Sequence, residues 1–114
     1  METQNYLFVC RLNENRSPTA ERICNEIAES FRLKIRASSA GLSPSSSKPL
    51  TRETANQADK IFVMGAYMIK MLEEDYNQNP EKLINLNIPD IYVKDDPDLE
   101  IILRRELYPY LLKK

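Results

Sequence analysis

The chain predicts an α/β fold, a single three-layer domain in which helices cover both faces of a parallel β-sheet. Short apolar runs alternate with helical stretches along the sequence, the order that builds such a sheet. The first run, Tyr6 to Val9, is apolar throughout, as befits a strand buried on both faces. Across 114 residues there is neither an internal repeat nor an interdomain linker, so residues 1–114 read as one domain.

A strand at 5–10 is followed by Ser17-Pro18, the pattern of a helix cap and first helical residue, so a turn fills 10–16 and a helix 17–31. On that helix Ala20, Ile23, Cys24, Ile27, Ala28 and Phe31 recur at the spacing of one buried face. A second strand is expected at 33–38, then a Ser- and Pro-rich loop at 42–50 that lies near the first turn and is mobile. A short helix at 51–58, a strand at 60–64, a helix at 66–77 and a fourth strand at 83–88 follow. Asp96-Pro97, backed by Asp98 and Glu100, has the cap, first-turn proline and early acids of a last helix at 97–112.

Composition narrows the function. The 16 basic and 17 acidic residues nearly cancel, so nothing points to a nucleic-acid or membrane partner. No apolar stretch is long enough to span a bilayer, and the polar, acidic Met1-Glu2-Thr3-Gln4-Asn5 is unlike a signal peptide, so a reducing, cytoplasmic setting is expected. With no histidine, Cys/His hydrolase pairs and His-containing zinc sites are excluded, and two cysteines cannot fill a Cys₄ site. A mechanism without metal or cofactor is expected. Cys24, on the buried helical face, reads as packing.

The chemistry concentrates in the first turn. Backbone N–H groups of such a turn, with the free N–H groups and dipole of the helix behind it, favour an anion such as phosphate. Cys10 opens the turn in the same field, which favours the thiolate, the nucleophilic form of cysteine. Arg16, six positions later, offers a planar fork able to hold two phosphoryl oxygens at once. Ser17 is placed to donate a hydrogen bond to the sulfur. The turn lies at the carboxyl end of the first strand, where open α/β sheets bind ligands. A buried structural cysteine beside a surface arginine is the plainer alternative on spacing alone.

The run Cys10-x-x-Asn13-x-x-Arg16-Ser17-Pro18-x-Ala20-Glu21 closely resembles the signature loop of low-molecular-weight protein tyrosine phosphatases. Ser39-Ala40-Gly41 resembles the segment after that family's second strand, Ala58 to Met64 its third strand, and Ile88-Pro89-Asp90-Ile91-Tyr92 the loop carrying its general acid. The resemblance, to a short bacterial-type member, implies the strand order 2-1-3-4 and hydrolysis of a phosphomonoester through a cysteinyl-phosphate. The substrate would be a phosphorylated protein or small phosphomonoester, and inorganic phosphate or another oxyanion would occupy the loop of Arg11, Leu12, Asn13, Glu14, Asn15 and Ser17. Among Asp90, Asp95 and Asp96, Asp96 reads as the helix cap. Asp90 directly follows the fourth strand on the Cys10 side of the sheet, and is the candidate acid and later base. The family further implies that Asn13 takes a left-handed backbone, that Ser39 hydrogen-bonds it across the neighbouring strand end, and that Tyr92 lines the substrate slot.

Departures from the family pattern bear on specificity. Leu12 stands where the family usually has glycine, and Asn15 where it has a second cysteine, so a disulfide-protected nucleophile is unavailable. The chain is shorter between Gly41 and Ala58, where the family carries an additional helix and an aromatic wall. Glu14 stands at a position that in the family lies at the pocket mouth and influences which phosphoamino acid is accepted; a carboxylate there would repel acidic substrates and pair with cationic ones unless Arg11 neutralises it. Some bacterial relatives act on phosphoarginine. Two other readings are a weakly catalytic phosphate- or phosphopeptide-binding module and an arsenate reductase. The latter resolves its intermediate with downstream cysteines, and none follows Cys24 here.

Overall fold

Tyr6, Leu7, Phe8 and Val9 are all buried because their strand, β1 (Gln4–Cys10), lies inside the sheet with side chains packed on both faces. The computed structural model describes residues 2–112. β1 is flanked by two parallel strands, β2 (Ile35–Gly41) and β3 (Lys60–Val63), and a short parallel strand β4 (Leu83–Asn85) borders β3. The order β2-β1-β3-β4 is the one expected.

Between the strands run α1 (Arg16–Ser30), α2 (Arg52–Gln57) and α3 (Ala66–Glu74), and α4 (Pro97–Leu111) closes the described chain. One sheet face carries an aromatic cluster, with Phe8 stacked on Phe62 at 4.8 Å and Tyr110 of α4 edge-on to Phe62 at 5.4 Å. α4 packs against α1 through a stripe of Leu99, Leu103, Leu107 and Leu111 at four-residue spacing. Each large apolar side chain buried here contributes on the order of 2 kcal/mol. Cys24 lies fully buried on α1, as its stripe predicts.

Several boundaries differ from expectation, for local reasons. α1 starts at Arg16, with Asn15 and not Ser17 at the cap position, and ends at Ser30, after which Arg32 turns the chain with φ 54°. β2 begins at 35 rather than 33 and runs on to Gly41, because Ser38 to Gly41 pair with Leu7 to Cys10. α3 stops at Glu74, ahead of a left-handed Asn77. β4 ends at Asn85 rather than 88, because Asn87 adopts φ 55°. Leu86 and Ile88 still donate to Val63 and Met64, so the chain beyond β4 remains attached to the end of β3.

The Ser/Pro-rich loop is not loose. Gly41 N–H donates to Lys48 O at 2.9 Å, Leu50 N–H to Gly41 O at 2.8 Å, and Ser46 is buried. Gly41 admits this closure because a Cβ there would lie 2.7 Å from Ser46 Cβ and 2.9 Å from the carbonyl carbon of Leu12. Gly41→Ala is expected to cost about 1–3 kcal/mol through overpacking. Urea unfolding would report it as a lower midpoint at unchanged slope.

Candidate active site

The parallel register ends with Cys10 beside Gly41 and Val9 beside Val63, so the carboxyl ends of three strands share one edge. The turn from Cys10 to Arg16 sits on that edge and is held from outside. Leu42 N–H donates to Cys10 O and Ser43 N–H to Arg11 O, both at 2.9 Å, and Ser46 Oγ donates to Leu12 O at 2.9 Å. Asn13 takes φ 59°, the left-handed turn expected of it, and asparagine tolerates that conformation.

This backbone path brings functional atoms together. Cys10 Sγ lies 3.2 Å from Asn13 N, which donates to it, and 3.0 Å from Ser17 Oγ. Ser17 Oγ also approaches Asn13 Oδ1 at 2.9 Å, so its single proton faces a sulfur and an amide oxygen. Asn15 makes no side-chain cap, Pro18 has no N–H, and the first intrahelical bond is Thr19 N–H to Asn15 O. The N–H groups at the start of α1 are therefore left for an external acceptor.

Arg16 is 6% exposed, and its Nη1 donates to Ile88 O at 2.8 Å. Its Nε lies 3.6 Å from Asp90 Oδ1, beyond hydrogen-bond range. Cys10, Arg11, Leu12, Glu14, Asn15, Arg16 and Asp90 line one cavity of about 140 Å³. A wider groove of about 490 Å³ adjoins it, sharing Arg16 and Asp90 and walled by Met64, Gly65, Tyr67, Asn87, Ile88 and Pro89.

The three aspartates separate cleanly. Asp90 lines both cavities, although it lies five residues past the end of β4 rather than directly after it. Asp95 accepts from Arg22 Nε at 3.0 Å, and Asp96 caps α4 by accepting from Asp98 N–H at 2.8 Å. Arg22 belongs to a surface network with Glu26, Asp95 and Glu100, extended by Arg104. Within it the hydrogen bond from Arg22 holds the Glu26 carboxyl below its usual range.

Two expected supports are placed elsewhere. Ser39 donates to Glu21 Oε1 at 2.5 Å and not to Asn13, because on β2 its side chain faces α1; Ser17 takes the place beside Asn13. Tyr92 packs against the core and lines neither cavity, since burial of its ring draws it inward between the exposed Ile91 and Val93. The aromatic beside the groove is Tyr67, which the sequence reading missed. Its signal is its position, in the first turn of α3 just after β3, the neighbour of β1, at the sheet edge where ligands collect. Ser46 was missed as well, as one serine among several in a loop.

A thiol, a buried guanidinium and a carboxyl face one cavity of about 140 Å³, the set of groups that phosphate chemistry of the cysteine type requires. Residues 5–84 match the family model for low molecular weight phosphotyrosine protein phosphatase, and the chain belongs to that family. The matched span contains the whole turn and stops before Asp90. Among solved structures, YwlE from Bacillus subtilis, in a mutant form, is 25% identical with a TM-score of 0.75, over 98% of this chain and 100% of that one. YwlE arginine phosphatase with a phosphorylated active-site serine is 23% identical, with a TM-score of 0.74 over 97% of each chain. SP-PTP, the low molecular weight protein tyrosine phosphatase from Streptococcus pyogenes, is 21% identical with a TM-score of 0.81, over 97% of this chain and 93% of that one. No curated protein matches the chain significantly in sequence.

The two cysteines should behave differently toward alkylation. Burial pushes the Cys24 thiol up to about 12, leaving almost no thiolate near neutrality, whereas Cys10 opens onto the cavity. Iodoacetate at pH 7.5 is expected to modify one thiol per folded chain, at Cys10, more slowly with phosphate present. Peptide mapping checks this, and modification of Cys24 should require denaturant.

Proposed function

We propose that residues 1–114 act as one phosphatase domain that hydrolyses phosphomonoesters through a Cys10 phosphoenzyme, with Arg16 and Asp90 as the other catalytic residues. The observation that carries this is the convergence of Cys10, Arg16 and Asp90 on one cavity of about 140 Å³. The sulfur attacks phosphorus while the bond to the leaving oxygen breaks, and Asp90 gives that oxygen a proton. Arg16 and the turn amides carry the charge spread over the equatorial oxygens. A water then attacks the phosphocysteine, Asp90 takes its proton, and the sulfur departs with a hydrogen bond from Ser17. Arg11, Leu12, Asn13, Glu14 and Asn15 form the rest of the cradle, and each step uses a side chain or backbone amide of this chain.

The substrate class is a phosphorylated protein or a small phosphomonoester, with protein phosphotyrosine the first choice. The bacterial cytoplasm suits a reactive thiol, and no helix among the described residues is long and apolar enough to cross a membrane. Protein phosphoarginine is a second choice, favoured by Glu14, whose carboxylate lines the cavity beside Arg11 and could pair with a guanidinium. YwlE, the arginine phosphatase, shares the fold.

Hydrolysis of phenyl phosphate tests the mechanism. Cys10→Ser should lower turnover by about 10³-fold or more, and surviving activity there would end the covalent reading. Asp90→Asn should lower kcat/KM by about 10²-fold, and by much less for 2,4-dinitrophenyl phosphate, whose leaving group needs no proton. Turnover near background in the wild type as well as in Cys10→Ser would favour the binding-module reading. For specificity, Glu14→Ala should reduce the ratio of phosphoarginine to phosphotyrosine peptide turnover if Glu14 recognises a cation; an unchanged ratio removes that role.

A further inference from the structure

Asp90 is 55% exposed at its side chain, and its ion-pair partner, Arg16, lies 3.6 Å away. Residues 86–96, which carry it, form neither helix nor strand. An acid that protonates a leaving oxygen must nonetheless keep a fixed place over the cradle. One end of this segment is fixed at Ile88, which donates to Met64 O at 3.0 Å and accepts from Arg16. The other end is fixed by α1, the helix whose N-terminus forms the cradle.

That second attachment centres on Thr19, which is fully buried. Its hydroxyl donates to Asn15 O at 2.7 Å and accepts from Asp95 N–H at 2.9 Å. The first bond is the ordinary way a helical threonine satisfies its proton on the carbonyl four residues back. The second joins the helix to a residue 76 positions away. Asp95 presents its N–H there from a left-handed turn with φ 61°. One helical turn along, Arg22 holds the carboxylate of the same Asp95 at 3.0 Å. Arg22 is 36% and Asp95 45% exposed at their side chains, so salt screens the ionic half of the attachment while the buried hydroxyl is insulated.

We propose that Thr19, assisted by Arg22, is a positioning residue for the general acid: its hydroxyl ties the Asp90 segment to the helix that carries the phosphate cradle, fixing the distance between acid and phosphorus. The inference rests on the reading of Asp90 as the acid. Because Thr19 acts through Asp90, its loss should be felt only where a leaving group needs a proton.

The test uses kcat/KM, which reports steps up to phosphoenzyme formation, with phenyl and 2,4-dinitrophenyl phosphates. Thr19→Val should lose about tenfold on phenyl phosphate, part of the roughly 10²–10⁴-fold a general acid supplies, and less than about twofold on the dinitrophenyl ester. Inhibition by inorganic phosphate should not change, Thr19→Ser should recover the activity, and Thr19→Val should cost nothing further in an Asp90→Asn background. Arg22→Gln should show the same leaving-group bias at low salt and lose it at high salt. Equal losses on both esters, weakened phosphate inhibition, or additivity with Asp90→Asn would overturn the proposal, because Thr19 would then act on the cradle. Amide hydrogen exchange gives a readout independent of activity: it should quicken at 90–95 in Thr19→Val, and unchanged exchange would also overturn the proposal. If Asp90→Asn itself showed no leaving-group bias, the assignment of the acid would fall, while exchange would still decide the attachment.

Discussion

The alignment of peptide groups in the turn after β1 is the constraint on which the site depends. Three successive carbonyls, of Cys10, Arg11 and Leu12, are taken up by Leu42 N–H, Ser43 N–H and Ser46 Oγ on the outer side. Each peptide plane carries its N–H opposite its C=O, so fixing the carbonyls outward turns the amides of residues 11–13 inward. The hydrogen bond from Asn13 N–H to Cys10 Sγ is the visible result. An anion at the centre meets N–H dipoles and not carbonyl oxygens because the 42–50 loop has claimed the latter. Gly41 permits the loop to come close enough, and the pairing of Cys10 with Gly41 sets where it starts.

Arg16 adds a charge to this dipolar frame, in a place where charge is costly unless compensated. Its Nη1 is satisfied by Ile88 O, while the nearest carboxylate stands off at 3.6 Å and is itself largely in water. No buried side-chain N or O among the described residues lacks a hydrogen-bond partner, so the remaining guanidinium donors are either bonded or open to solvent. A nearby Asp90 within bonding distance would neutralise the fork and compete with a phosphate. At the observed separation the guanidinium remains available to an oxyanion, and the carboxyl remains close enough to exchange a proton with a group bound to it.

Strands β1 to β4 and helices α1 to α4 were legible in the sequence because burial imprints them, as in the run Tyr6 to Val9 and the leucines of α4, whereas the sheet order came from the family resemblance and the short 3₁₀ turn Pro80–Lys82 was not foreseen. Element ends were less legible, since they depend on single left-handed residues, Arg32, Asn77 and Asn87, set among short-range hydrogen bonds such as Leu33 N–H to Ala28 O, Gln78 N–H to Leu72 O and Asn87 N–H to Asn85 Oδ1, which no apolar periodicity marks. In the site, Cys10, Asn13 and Arg16 were legible because spacing within one turn fixes their mutual distance. Ser39 and Tyr92 were misplaced because they sit on β2 and on the irregular segment after β4, whose orientation relative to the turn no local pattern encodes. Thr19 carried no signal of its own, since a threonine on a buried helix face has ordinary structural uses, and Tyr67 carried only that of its position just after β3.

Leu12 illustrates how a departure from a family's usual residue need not alter its backbone. Glycine is required where φ is positive or where a Cβ would collide. In this turn the positive φ belongs to Asn13, and Leu12 is not among the left-handed residues. The close approach on the outer side is made by Gly41, which would place a Cβ against the Leu12 carbonyl carbon, so the position that needs glycine is on β2 rather than on the turn. The Leu12 side chain lines the cavity, and its backbone needs no glycine there. Asn15 follows the same logic. Its side chain makes no cap, so it leaves to an external acceptor the first amides of α1 that a capping side chain would have taken.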